Sequence, residues 1–343
     1  MIKFPKSLKL TKRALLNQLR SPFKAGGTND TIEWQAAART EKAVRAVEES
    51  MKPGIHQIGM TEYLAIKALS SGLVHTLLSQ SAMHAKSQQD DPQDEPSAVS
   101  EIGTAIHDVL LEGRHRIAEV PFDDWRTKEA KAQRELARSE GRLPVLHHKV
   151  PQIEAAVAAA RAFIATSELN GVFDSGKPEQ TLVWKEGDVL CKARPDWLTA
   201  DQSILLHVKT TAGSAQPESW IRNQLASCGY DTALAFYERG LVQTMAMENM
   251  KWGGAQSVFL IIEQLPPYGC SLVSLDPAYM ELAASKVERA IRTWAECQAS
   301  GKYPAYPSRI AYATPKPWDL SEEEGRQLGD AFDSLQAERG LQA

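Results

Sequence analysis

Apolar positions along the chain change period twice, and the changes outline one α/β unit. Ile102, Ile106, Val109 and Leu110 recur at helical spacing, which predicts a helix over about 97–113. Before it, Leu69-Ser70-Ser71-Gly72-Leu73 reads as a helix start with a serine cap, after which Leu73, Leu77 and Leu78 share a face. Residues 127–141 predict a highly charged helix and 149–166 an alanine-rich one. The pattern then turns to short strands at 180–185, 189–194 and 204–208. Glu186-Gly187-Asp188 is the hairpin turn between the first two, and 199–202 separates the second from the third. A helix over about 217–239 and a strand at 257–263 follow. After a turn at Pro266-Pro267-Tyr268-Gly269, residues 270–275 pair back, and Asp276 caps a long helix ending near Ser300. Helix, three strands, helix, strand is the order of an α/β domain with a mixed sheet flanked by helices.

The flanks differ. Residues 1–25 carry seven Lys or Arg and no acid, which suits either a basic arm near DNA or a solvated tail. Residues 31–51 read as a polar helix ending at the turn Lys52-Pro53-Gly54, and 88–97 as an acidic loop. Pro304, Pro307, Pro315 and Pro317 take the chain over the surface to a final polar helix. The expected divisions are therefore an N-terminal arm and helix at 1–56, a globular domain at 57–310 and a tail at 311–343.

Composition narrows the class. In 343 residues, 43% are apolar and 24% charged, enough for a sizeable core. No apolar run reaches the roughly 18 residues of a membrane span, and the basic start lacks the apolar core of a secretory signal; the expected location is cytoplasmic. A net charge of −4 argues against a protein that coats nucleic acid, although a local basic groove needs no basic chain. Cys191, Cys228, Cys270 and Cys297 are too far apart for a zinc ribbon or a closely spaced iron–sulfur motif and read as free thiols.

One constellation carries chemistry. Phosphodiester hydrolysis uses divalent cations to polarise phosphate and to generate hydroxide near neutral pH. Hard cations want converging oxygen ligands. Adjacent strands supply them when one ends in an Asp and the next presents an acid and a Lys two residues apart, on one face. Here Asp196 follows one strand and Lys209 lies on the next, thirteen residues on. His207 takes the position two before Lys209, and the Val208 backbone carbonyl between them is a further candidate ligand. Spacing alone leaves open an ordinary turn aspartate and an edge-strand lysine.

From about Tyr63 to Ser300 the chain resembles the nuclease domain of RecE (exonuclease VIII) and its phage-borne relatives, of the PD-(D/E)xK superfamily. The resemblance runs in order through Tyr63 and Leu69–Leu73, the helix Gly103-Thr104-Ala105-Ile106-His107, and Arg126-Thr127-Lys128. It continues through Cys191-Lys192-Ala193-Arg194-Pro195-Asp196-Trp197, Val208-Lys209-Thr210-Thr211, Gly229-Tyr230, Ala235-Phe236-Tyr237 and Pro266-Pro267-Tyr268. It implies a restriction-endonuclease-like core over 57–310 and a 5′→3′ exodeoxyribonuclease acting on double-stranded DNA ends in phage-type recombination. It further implies Mg²⁺ or Mn²⁺, a ring-like homo-oligomer and a single-strand annealing partner of RecT type. By the same resemblance His107 approaches the metal, Asp196 binds it, and Lys209 orients the attacking water or steadies developing charge. Glu179 is a candidate additional carboxylate. Arg222, Arg126, Lys128, Lys131 and Arg194 are candidate DNA contacts.

Two positions depart from the family pattern: His207 replaces its usual Asp, and Ala233 stands where a Gln commonly precedes the tyrosine by four residues. Asp201 shares the strand parity of His207 but lies roughly 20 Å back along an extended strand, beyond reach of the same ion. Two readings of His207 follow. As a ligand through a ring nitrogen it would tilt the site toward Mn²⁺; as the mark of a lost site it would leave a DNA-end binding module. A restriction- or repair-type endonuclease on the same core is the third alternative.

Overall fold

The computed structural model describes residues 51–91, 98–247 and 253–340. These form two compact units, one ending at Tyr303 and the other beginning at Pro304. The expected arm at 1–25, the helix at 31–51 and most of the acidic loop lie outside the described residues.

The first unit opens with β1 (Gly54–His56), α1 (Met60–Ala65), α2 (Ser71–Ser79), α3 (Ala82–Asp90) and α4 (Ala98–Leu111). It continues through β2 (Ile117–Val120), α5 (Lys128–Ser139), β3 (Leu143–Leu146), α6 (Val150–Ala165) and β4 (Gly176–Pro178). Then come β5 (Thr181–Glu186), β6 (Val189–Ala193), β7 (Trp197–Thr199) and β8 (Ile204–Thr211). The unit closes with α7 (Pro217–Trp220), α8 (Tyr230–Met247), β9 (Gln256–Glu263), β10 (Cys270–Val273) and α9 (Pro277–Ser300).

A five-stranded sheet in the order β10-β9-β8-β7-β4 is the spine. β8 and β9 run parallel, and the other pairs run antiparallel. The sheet is therefore mixed, as the element order predicts. A smaller sheet, β1-β5-β6, and a parallel pair, β2-β3, complete the strands. Period-2 alternation sorts β8 between two cores: Leu206 and Val208 join the cluster of α4 and α6, while Leu205 joins that of α2, α8 and α9. Burial on both faces explains why Val258–Ile262 reads as an unbroken apolar run.

Capping residues fix the helix starts. The side chains of Ser70, Thr127 and Asp276 accept from Leu73, Ala130 and Tyr279 amides; the serine and Asp276 caps are those expected, while Thr127 caps its helix instead of opening it. Three expectations change. The helix over 217–239 is broken: α7 passes through a π-turn at Ile221–Leu225, and α8 restarts at Tyr230 and runs on to Met247. The break falls at Gly229, whose φ of 70° is left-handed and whose missing Cβ makes room for the His75 ring. The start of the acidic loop is helical, because Ser81 caps α3 and Ala82 and Ala85 bury against the core. Residues 197–199 form the extra strand β7.

Two contacts set up the site. Lys192, buried on β6, donates from Nζ to the Tyr63 carbonyl at 2.7 Å and the Ile66 carbonyl at 2.8 Å, tying α1 to the small sheet. Gly103 on α4 lies so near β8 that a Cβ there would stand 2.4 Å from Thr210 Oγ1. Among the described residues no helix is long and apolar enough to cross a membrane. The second unit carries α10 (Pro317–Gly340), which exposes Trp318, Leu328, Phe332 and Leu335.

Candidate metal centre

The chain leaves the small sheet at Ala193, passes through Arg194-Pro195-Asp196 and enters the central sheet at Trp197. Asp196 therefore sits at the crossing between sheets, beside the strand that carries Lys209. Its Oδ2 accepts from the Val208 amide at 2.7 Å and lies 3.5 Å from Lys209 Nζ. The other oxygen, Oδ1, is 3.6 Å from His107 Nε2.

Two more elements bring ligands to the same point. The close approach at Gly103 presses α4 onto β8, and His107, one turn later, inherits that position. Glu179 lies between β4 and β5 in a left-handed conformation, φ 56°, and its amide donates to the Asp196 carbonyl at 3.1 Å. That backbone bond places Glu179 Oε1 3.5 Å from His107 Nε2. Arg194 Nε donates to the other Glu179 oxygen.

Donor atoms of His107, Glu179 and Asp196 all lie within 4.8 Å of one another. A hexacoordinate ion with bonds of roughly 2.1 Å holds adjacent donors about 3 Å apart. The observed 3.5 and 3.6 Å edges are about half an ångström wider, so small side-chain movements close the set. Two carboxylates with one imidazole suit Mg²⁺ or Mn²⁺, the nitrogen weighting the set toward the transition metal. The residues present therefore fit a divalent cation.

Electrostatics agree with that use. Burial alone would raise the Asp196 carboxyl, but Lys209 and then His107 hold it well below the usual carboxylate range. Burial raises the Glu179 carboxyl, and the Arg194 bond opposes the shift. Burial would lower His107, but hydrogen bonds to Asp108 and Asp196 and the Glu179 charge push it up to about 10. Without a metal the imidazolium itself therefore answers the carboxylates, and a cation bound through Nε2 would displace that proton. The centre opens into a cavity of about 1300 Å³, lined also by Val208, Lys209, Tyr63, Tyr230 and Arg116.

Other sequence-predicted residues are placed differently. His207 has its ring only 1% exposed, stacked on Tyr237 with centroids 4.8 Å apart and tilted against Phe259 at 5.7 Å. It is not in the triad, nor does it line the cavity. Its Nε2 is buried without a hydrogen-bond partner, and burial lowers its pKa to about 4, so the imidazole is neutral. The second carboxylate gathered with Asp196 and His107 comes from elsewhere in the chain, Glu179. Arg194, offered as a DNA contact, is instead engaged: it is mostly buried and bonds Glu179, the Ile58 carbonyl at 2.8 Å and Thr181 Oγ1 at 3.4 Å. Arg126, Lys128, Lys131 and Arg222 are exposed and do not line the cavity. Arg116, which does, escaped the sequence reading. Its signal was local: it follows Glu112 by four residues and pairs with it at 3.2 Å.

A crossing aspartate, a helical histidine, a second carboxylate and a strand lysine around one cavity make up a PD-(D/E)xK-type centre. Residues 67–315 match the family described as a PDDEXK-like domain of unknown function (DUF3799), and the chain belongs to that family. No curated protein sequence matches it. Among solved structures it is similar to a candidate exonuclease from Eubacterium rectale, at TM-score 0.50 and 14% identity over 77% of this chain and 98% of that one. A phage-related exonuclease from Haemophilus somnus 129PT aligns at TM-score 0.29 and 10% identity over 68% and 96%. At these identities the first likeness concerns the fold alone.

Proposed function

We propose that this chain is a divalent-metal-dependent 5′→3′ exodeoxyribonuclease that degrades linear double-stranded DNA from its ends. The observation that carries the hydrolytic part is the triangle of His107, Glu179 and Asp196 with Lys209 beside Asp196. A bound Mg²⁺ or Mn²⁺ supplies Lewis-acid polarisation of phosphate and a water acidic enough to attack near neutral pH. His107, Glu179 and Asp196 would hold the cation, with the Val208 carbonyl as a further candidate ligand. The Val208 amide, donated to Asp196 Oδ2, fixes the carboxylate so that Oδ1 faces His107. Lys209 carries the positive charge that steadies the developing phosphate charge or orients the water. His207 holds its strand position as a neutral ring packed under Tyr237 rather than as a ligand.

Action from ends, 5′→3′ polarity and a recombination role with a RecT-type annealing partner rest on the resemblance to RecE-type nucleases. So does a ring-like oligomer. Of these, the E. rectale neighbour's description as a candidate exonuclease supports only action from ends. Arg222, Arg126 and Lys128 remain proposed contacts to the DNA backbone.

The test is digestion of linear and covalently closed duplexes, end-labelled at 5′ or 3′, with Mg²⁺ or Mn²⁺. The proposal expects loss of linear duplex with early release of the 5′ label, and intact circles. Nicked or cut circles would identify an endonuclease. If linear duplex survives both metals and His207→Asp restores cutting, the natural chain is a DNA-end binding module.

A further inference from the structure

The first unit has a second cluster of ligating side chains, at the other end of the strands that border the cavity. β2 and β3 are parallel, so both begin at one end and finish at the other. Arg116 and Gly141, just before their starts, line the large cavity. Asp123, His147 and His148 follow their ends, and four residues of strand, roughly 13 Å, separate the two places. Parallel strand ends with their following loops are where α/β folds commonly gather ligands.

We propose that Asp123, His147 and His148 form a transition-metal site of zinc type, separate from the nuclease centre. Three observations carry it. One donor atom from each residue falls within 4.8 Å of the others, a property that, among the described residues, only this group and the nuclease triad share. His147 is oriented: its Nδ1 lies 3.2 Å from the Phe122 carbonyl. A carbonyl only accepts, so Nδ1 holds a ring proton, and in the neutral imidazole Nε2 keeps its lone pair. That nitrogen faces Asp123 Oδ1 at 3.8 Å. A backbone carbonyl that sets the tautomer of a ligating histidine is the common outer partner in zinc sites.

The separation fits. Tetrahedral zinc with bonds of roughly 2.0–2.1 Å holds its donors about 3.3 Å apart. The exposed side chains reach that from 3.8 Å by small rotations. Two imidazoles and one carboxylate are borderline donors, suited to Zn²⁺ and poor for Mg²⁺. Three protein ligands leave the fourth position to water. The nuclease triad has the opposite balance, two carboxylates and one imidazole, so the two sites sort different metals. The ion would clip the loop after β2 to the turn after β3.

The experiment is Zn²⁺ titration of the full chain by calorimetry with competing chelators. It is repeated on His147→Ala/His148→Ala and on His107→Ala/Asp196→Ala, with Co²⁺ absorption as a second readout. The expected result is one zinc equivalent retained by the second variant and lost by the first. Asp123→Ala should weaken binding at least ten-fold. Co²⁺ should give tetrahedral visible bands that disappear with the two histidines. The surface substitutions should leave the metal-free melting temperature unchanged. If the buried pair of substitutions unfolds the chain, the loss of one equivalent from the otherwise natural protein decides. Equal zinc stoichiometry and Co²⁺ spectra with and without His147 and His148 would overturn the site.

Discussion

Arg194 and Glu179 are bonded so that one carboxylate oxygen is taken by the guanidinium while the other faces His107 at 3.5 Å. Arg194 thereby aims the Glu179 oxygen at the proposed metal position and opposes the burial that raises its carboxyl. Removing it should loosen a ligand without deleting one. Arg194→Ala is expected to raise the Mn²⁺ or Mg²⁺ needed for half-maximal cleavage by about 10–100-fold, with partial recovery in Arg194→Lys. Cleavage titrated against metal checks this. An unchanged metal requirement with a uniformly lower rate would place Arg194 on the DNA instead.

In the proposed reaction Asp196 and Lys209 carry the heaviest load. Asp196→Asn keeps the shape and its bond from Val208 but removes the charge proposed to bind the cation. Lys209→Ala removes the charge beside it. Each is expected to lower duplex cleavage by at least about 100-fold at saturating metal while keeping a cooperative melt. Retained cleavage in Lys209→Ala would remove that residue from the chemistry.

The sequence carries the helices, the long strands and the caps because those depend on periods and on single residues such as Ser70 and Asp276. It carries little of β1, β2, β3, β4 and β7, which have three or four residues each, too few to show a period. The centre was half visible. Asp196 follows one strand and Lys209 stands on another, and His107 follows Gly103 by one turn. Glu179 is the residue that pattern undervalued. Its place depends on a left-handed φ and a backbone bond to Asp196, neither of which leaves a mark at fixed spacing. Strand parity along β8 does not reach it, because Glu179 lies between two other strands. His207 was legible as a departure, but its stacking on Tyr237 is a contact between elements thirty residues apart.

The approach of α4 to β8 is open to a double-mutant test. A methyl at Gly103 would stand 2.4 Å from Thr210 Oγ1, whereas Thr210 Cβ would be 3.6 Å away, an ordinary contact. Gly103→Ala alone should destabilise by about 1–3 kcal/mol through overpacking and weaken cleavage by shifting His107. In a Thr210→Ala background the same change should cost markedly less, a coupling read by denaturant unfolding. Additive effects would mean that the helix does not rest on Thr210.

Lys192 gives a prediction in pH. Burial alone lowers its pKa from 10.5 to about 8, while its ammonium bonds the Tyr63 and Ile66 carbonyls. The folded pKa is below the unfolded one, so between about 8 and 10.5 the unfolded chain binds more protons and stability rises with pH. Below 8 both states are protonated and the contribution is flat, with burial of the charge as a standing cost. Lys192→Met removes this proton and leaves the other titrating groups in place. The stability difference, natural protein minus Lys192→Met, should therefore move in favour of the natural protein by about 2–3 kcal/mol from pH 7.5 to pH 10. Chemical denaturation of both proteins at the two pH values measures it. A difference that stays constant would show that Lys192 titrates as a solvated lysine, and that α1 is not anchored to β6 by a buried charge.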